Sequence, residues 1–130
     1  MAVSYCGAYC SWHFYSSPYK RSVAKKITGM LIYNVTIKVD WSIHEPWFKW
    51  MLDIHIPEML GTGCFKKHQF VRLLEIDETE GPTYAVQYYA ESKADYNRYL
   101  EQYAATLREQ GTELWDDKYL TFPTLMEVVH

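Results

Sequence analysis

The sequence predicts an α+β domain of order βαββαβ, an antiparallel sheet carrying two helices on one face. Three observations predict it. Residues 31–39 alternate apolar and polar side chains with the two-residue period of a half-buried strand. Two later stretches repeat apolar residues at helical spacing behind capping residues. Two β-rich runs flank the turn-forming Asp77-Glu78-Thr79-Glu80-Gly81-Pro82, and a last β-rich run closes the chain.

In the first strand Leu31, Tyr33, Val35, Ile37 and Val39 take one face, and Asn34, Thr36 and Lys38 take the other. Ser42 followed by Glu45 has the form of a capping box, and Pro46 fits the first helical turn, where N–H groups lack partners. Ile43, Trp47, Trp50, Met51 and Ile54 then recur at helical spacing. Pro57 donates no N–H and disfavours helical geometry at Ile56. The first helix is therefore expected to kink or break near His55, restart through Glu58 and end at Gly61 and Gly63. Phe65 to Ile76 and Thr83 to Ala90 form a predicted hairpin. Ser92 with Asp95 opens the second helix, where Tyr96, Tyr99, Leu100, Tyr103, Ala104 and Leu107 follow the helical period before Gly111 stops it. Tyr119 to Val129 is β-rich but holds Pro123, which suits only an edge strand or a bulge. This order gives the ferredoxin-like arrangement with the last strand at an edge. The face away from the helices then carries Ile32, Asn34, Thr36, Ala85, Gln87 and Tyr89, and either water or a partner subunit covers it.

Charge divides the chain at Met30. Residues 1–29 contain Lys20, Arg21, Lys25 and Lys26 and no acidic residue, while residues 30–130 hold the other nine basic and all 16 acidic residues, a net charge of −7. The leader lacks the continuous apolar stretch of a secretory signal, and its aromatic residues are poorly spaced for an amphipathic transit helix. It reads as an over-extended start, with Met30 opening a domain at 30–130. An acidic domain lacks the basic face that nucleic acid requires, and no apolar run approaches the roughly 20 residues that span a bilayer. Cys64 is the one cysteine in the domain, so no internal disulfide framework exists there and a reducing, cytoplasmic compartment is expected. Cys6 and Cys10 with His13 lack the further ligands of a zinc site.

Four motifs carry a resemblance: Tyr33-Asn34-Val35-Thr36, Trp47-x-x-Trp50-Met51 with His55-Ile56-Pro57-Glu58, Thr83-Tyr84-Ala85-Val86-Gln87-Tyr88, and Phe122-Pro123-Thr124-Leu125-Met126-Glu127-Val128. Together they resemble a small, uncharacterised bacterial domain-of-unknown-function family of the dimeric α+β barrel superfamily, across about 30 to 130. The resemblance implies a homodimer that packs two sheets face to face, in a superfamily that includes cofactor-free monooxygenases, haem-degrading enzymes, isomerases and ligand-sensing domains. The dimer face is then the one bearing Asn34, Thr36, Gln87 and Tyr89.

Among candidate site residues His55 stands first, because imidazole titrates near neutrality and Pro57 frees backbone groups beside it. The competing structural role, which the residue pattern favours, is to cap those freed carbonyls. His44 lies eleven residues earlier, about 16 Å away along a straight helix at about 1.5 Å per residue, so the two cannot share a metal. No HxxxH or His-carboxylate cluster appears, and neither a metal nor a cofactor is expected. Trp47 and Trp50 form an apolar stripe that is more often core than ligand contact. Arg72 can reach a ligand anion or join an edge-strand ion pair. Tyr84 and Tyr88 share a face with Val86; the resemblance implies a substrate pocket there, between sheet and helices. Two functions follow: a homodimeric domain that binds a small ligand or partner, or a cofactor-independent monooxygenase or isomerase using His55 as acid/base with Arg72 or Tyr88 orienting an anionic substrate.

Overall fold

A computed structural model describes residues 29–130; the expectations placed on the leader, including Cys6 and Cys10, lie outside the described residues. The chain runs β1 (Leu31–Val39), a 3₁₀ turn (Trp41–Ile43), α1 (His44–Trp50), a π-helical turn (Met51–His55), α2 (Ile56–Gly61), β2 (Lys67–Arg72) and β3 (Thr83–Ala90). It continues through α3 (Lys93–Gln102), α4 (Ala104–Trp115), a 3₁₀ turn (Asp116–Lys118) and β4 (Tyr119–Glu127). The four strands form one antiparallel sheet in the order β2-β3-β1-β4, the ferredoxin-like topology, with β4 at an edge as its proline requires.

Strand parity sorts the side chains as the alternation predicts. Leu31, Tyr33, Ile37 and Val39 of β1 with Tyr84, Val86 and Tyr88 of β3 are buried beneath the helices. Their aromatic members build the core: Tyr33 lies within 5.4–6.4 Å, ring to ring, of Phe65, Tyr88, Tyr96 and Tyr99. Trp47 is wholly buried against Tyr84 and Phe70. The tryptophan stripe of α1 is therefore core first.

Four sequence expectations are corrected. Ser42 does not cap the first helix; the Asp40 carboxylate, on an extended residue at the end of β1, accepts the Ser42 N–H at 2.8 Å. The first helix does not break at His55. It widens into a π turn whose register is seen in the Ile56 N–H bonding Met51 O, and Pro57, which donates no N–H, follows that turn at the start of α2. The first hairpin strand ends at Arg72 and not at Ile76, because Glu75 adopts a left-handed backbone (φ 59°) that ends pairing and leaves Leu74 and Ile76 exposed. Gly111 does not stop the second helix: the axis breaks at Tyr103 (φ −126°), and α4 runs on through Gly111 to Trp115.

Other local signals hold. Ser92 Oγ accepts the Asp95 N–H at 3.1 Å, opening α3, and Gly63 takes the left-handed conformation (φ 76°) that closes α2.

Candidate functional site

The π turn decides where His55 points. One extra residue in that turn rotates the side chains that follow it, and His55 lies over Trp50, ring centroids 4.7 Å apart and 24° from parallel. Its Nδ1 is buried and has no hydrogen-bond partner. The expected capping role is therefore absent at Nδ1. Burial pushes the imidazole pKa down to about 4, so the ring is neutral at pH 7.

His55 borders a cavity of about 60 Å³ between the sheet and the helices. Val35, Ile37, Met51, Met59 and Leu107 supply apolar wall, while Tyr33, Tyr88, Tyr99 and Tyr119 bring phenol groups and Arg108 a cation. The volume admits several waters or a few-atom ligand; sites enclosing drug-sized ligands run to about 300–1,000 Å³. Burial pushes the Tyr88 and Tyr99 hydroxyls well above the ordinary phenol range, so both are neutral hydrogen-bonding groups at any physiological pH. Gly111 shapes one side: a Cβ there would collide with the Tyr119 hydroxyl and touch Trp50.

A second polar cluster forms where α1 begins. His44 Nε2 and Tyr84 Oη are 2.7 Å apart, and the two rings stack at 5.8 Å. Arg72 approaches the Tyr84 ring (6.0 Å) while its Nε and Nη2 donate to both carboxylate oxygens of Glu78 at 3.1 and 2.7 Å. The Glu78 carbonyl accepts the Trp41 indole N–H at 2.8 Å. Arg72 thus already holds an anion supplied by its own chain.

The six sequence candidates divide between these places. Trp50, His55 and Tyr88 line the cavity, whereas Trp47, Arg72 and Tyr84 belong to the second cluster. Arg72 does not line the cavity with His55; Arg108 does. Sequence reasoning passed over Arg108, Tyr119 and the His44–Tyr84 pair. Arg108 directly follows the buried Leu107 and nothing local marks it, while His44 and Tyr84 are 40 residues apart and meet only through the fold. No group of three or more His, Cys, Asp or Glu that could hold a metal occurs among the described residues, and no described helix is long and apolar enough to cross a membrane.

The remaining surface of interest is the sheet face away from the helices. The register places Asn34 opposite Gln87 and Thr124, Thr36 opposite Ala85 and Phe122, and Ile32 opposite Tyr89 and Met126. Asn34 Nδ2 donates to Thr36 Oγ1 (3.2 Å), so the centre of the face satisfies part of its own polarity. Phe122 and Leu120 remain 58% and 53% exposed. The outer edge of β4 is blunted. Asp40 N–H bonds Lys118 O and Val128 N–H bonds Met30 O, which fixes the alternation so that position 123 faces outward, where proline removes the donor.

Comparison with solved structures finds the same fold. A dimeric ferredoxin-like protein from an uncultured marine organism is similar with a TM-score of 0.60 at 11% identity, over 78% of this chain and 96% of that one. A dimeric ferredoxin-like protein of unknown function from Thermobifida fusca has a TM-score of 0.50 at 9% identity, over 80% and 96%. At these identities the likeness establishes the fold. No curated protein matches the chain. Residues 30–129 match the domain of unknown function DUF4286, and the chain belongs to that family.

Proposed function

We propose that the domain at residues 30–130 is a homodimer that binds a small molecule in the cavity beside His55. One observation carries the binding reading: His55, whose Nδ1 is buried without a hydrogen-bond partner, lines a cavity between sheet and helices. An unpaired buried polar atom costs about 1–3 kcal/mol, a cost that is recovered when the ring turns to bring Nδ1 to a bound ligand. The π turn supports the reading, since such turns recur at functional sites. The homodimer is supported by the partly apolar sheet face and by the two similar structures, each described as dimeric.

The test is to purify the protein under native conditions, denature it and identify released small molecules by mass spectrometry, beside His55→Ala. The expected outcome is a compound released by the wild type and missing from a His55→Ala protein of unchanged circular dichroism. Equal release from both would remove His55 from the site. An enzymatic role of the cofactor-independent oxygenase or isomerase kind gains support only if the released compound is turned over and His55→Ala abolishes turnover. A neutral imidazole is the protonation state a general base needs.

A further inference from the structure

We infer that the outer edge of β2 accepts an extended peptide of another protein as a fifth, antiparallel strand, with an apolar side chain opposite Phe70 and an acidic one opposite Lys67. This surface is separate from the His55 cavity, and the inference does not depend on a ligand there.

The sheet has two outer edges, and Pro123 blunts only the one on β4. In β2 the Leu73 N–H bonds Thr83 O at 2.9 Å and the register pairs Lys67 with Tyr89, so residues 67, 69 and 71 direct their backbone groups to β3. His68, Phe70 and Arg72 direct theirs outward, and among the described residues no backbone hydrogen bond uses them. The strand contains no proline, and four of its six residues are exposed. An open edge of this kind is a template for one more strand.

Side chains along the edge decide the occupant. Lys66, Lys67 and Arg72 are three of the nine Lys and Arg residues at 30–130, and residues 66–72 include no acid, in a domain of net charge −7. Arg72 is held by Glu78, and Lys66 reaches Glu91 only at 3.8 Å between exposed side chains, while Lys67 pairs with no described carboxylate. Pairing with a second copy would set this basic row against itself, and lysines on an edge strand work against such contacts. An acidic peptide side chain meets an ammonium without a carboxylate partner at Lys67 instead. On the helix side Phe70 stacks on Phe48, centroids 5.5 Å apart, and both residues are only half-buried. An apolar side chain opposite Phe70 extends that pair. Lys67 and Phe70 lie on opposite faces of the strand, so the acid stands three positions from the apolar residue and on the other face of the peptide.

The probe is a fluorescein-labelled peptide of alternating valine and glutamate, titrated with the intact protein and read by fluorescence anisotropy. Saturable binding is expected, weaker by about tenfold or more when lysine replaces glutamate. N-methylation of the valines, whose N–H groups would face β2, should abolish binding, and N-methylation of the glutamates should leave it. His68→Pro removes an outward N–H and keeps the ladder to β3, so it should weaken binding by about tenfold or more at unchanged circular dichroism; should this variant fail to fold, the methylated peptides still decide. Lys67→Glu should abolish the preference for glutamate over lysine. Equal binding of the two peptides, or an unchanged preference in Lys67→Glu, would overturn the acid at Lys67. Loss on methylating only the glutamates would overturn the apolar residue at Phe70. Undiminished binding to a folded His68→Pro protein, or no saturable binding of either peptide, would overturn the edge site. A light-scattering mass that falls by half in His68→Pro without peptide would give the edge to a second copy and overturn the inference.

Discussion

His55 gives up its proton early because its ring is stacked on Trp50 and shielded from water, and that couples folding to pH. In the unfolded chain a histidine titrates near 6.5, and in the folded domain this one titrates at about 4. Between those values the unfolded state binds the proton and the folded state does not. The contribution is therefore fully present above about pH 6.5 and is lost as pH falls toward 4, on the order of 3 kcal/mol across the whole window. Chemical denaturation at pH 7.5 and 5.0 should show a loss of stability that His55→Gln reduces; equal slopes in both proteins would place His55 in water. Gly111 makes a second residue-scale case. Alanine there gains up to about 1 kcal/mol of helix propensity, but its Cβ meets the Tyr119 hydroxyl, and overpacking costs about 1–3 kcal/mol. We expect Gly111→Ala to lose about 1 kcal/mol and Tyr119→Phe in the same chain to recover part of it. A Gly111→Ala protein more stable than wild type would mean that Tyr119 does not occupy this position.

At the scale of elements, the helix after β3 shows what periodicity settles and what it leaves open. Tyr96, Tyr99, Leu100, Tyr103, Ala104 and Leu107 all fit the apolar stripe of one continuous helix. The axis breaks at Tyr103, and the buried stripe narrows to Tyr99, Ala104 and Leu107, with Leu100 42% exposed. Tyr99→Ala and Leu107→Ala should each cost about 2–5 kcal/mol, while Leu100→Ala should cost under about 1 kcal/mol, measured by urea unfolding. A Leu100 effect as large as that of Tyr99 would restore the continuous helix. Strand faces were legible because a two-residue period belongs to the strand itself: Tyr33, Tyr84 and Tyr88 lie on the buried face that their parity assigns. Helix ends were less legible where tertiary contacts decide them. Gly111 carries a stop signal, yet the space under Tyr119 uses it as a small residue within a helix. The cavity was legible through His55 and Pro57, which adjoin in sequence, but Arg108 reaches it from a helix more than 50 positions away.

For the whole molecule, the open question is what covers the second face of the sheet. Its two charged strand residues, Lys38 and Lys67, stand at opposite ends, where Lys38 pairs with Glu80 and Lys67 lies 4.5 Å from the Tyr89 ring centroid. Between them the face is neutral, with Ile32, Tyr89, Phe122 and Met126 around the bonded Asn34–Thr36 pair. A neutral centre with charge at the rim is the anatomy of a protein interface, and Pro123 turns association away from the outer edge of β4. Pairing of two copies through this face about a two-fold axis makes each substitution act twice. Light scattering or sedimentation at micromolar concentration should therefore give a dimer mass for the wild type. Thr36→Lys and Phe122→Lys should each weaken the dimer by about tenfold or more, since one tenfold step corresponds to only about 1.4 kcal/mol. Leu114→Lys, on α4 and equally exposed, is the control and should leave the mass unchanged. A monomeric wild type would leave the face to water or to another partner, and a dimer broken by Leu114→Lys but not by Thr36→Lys would move the interface to the helices.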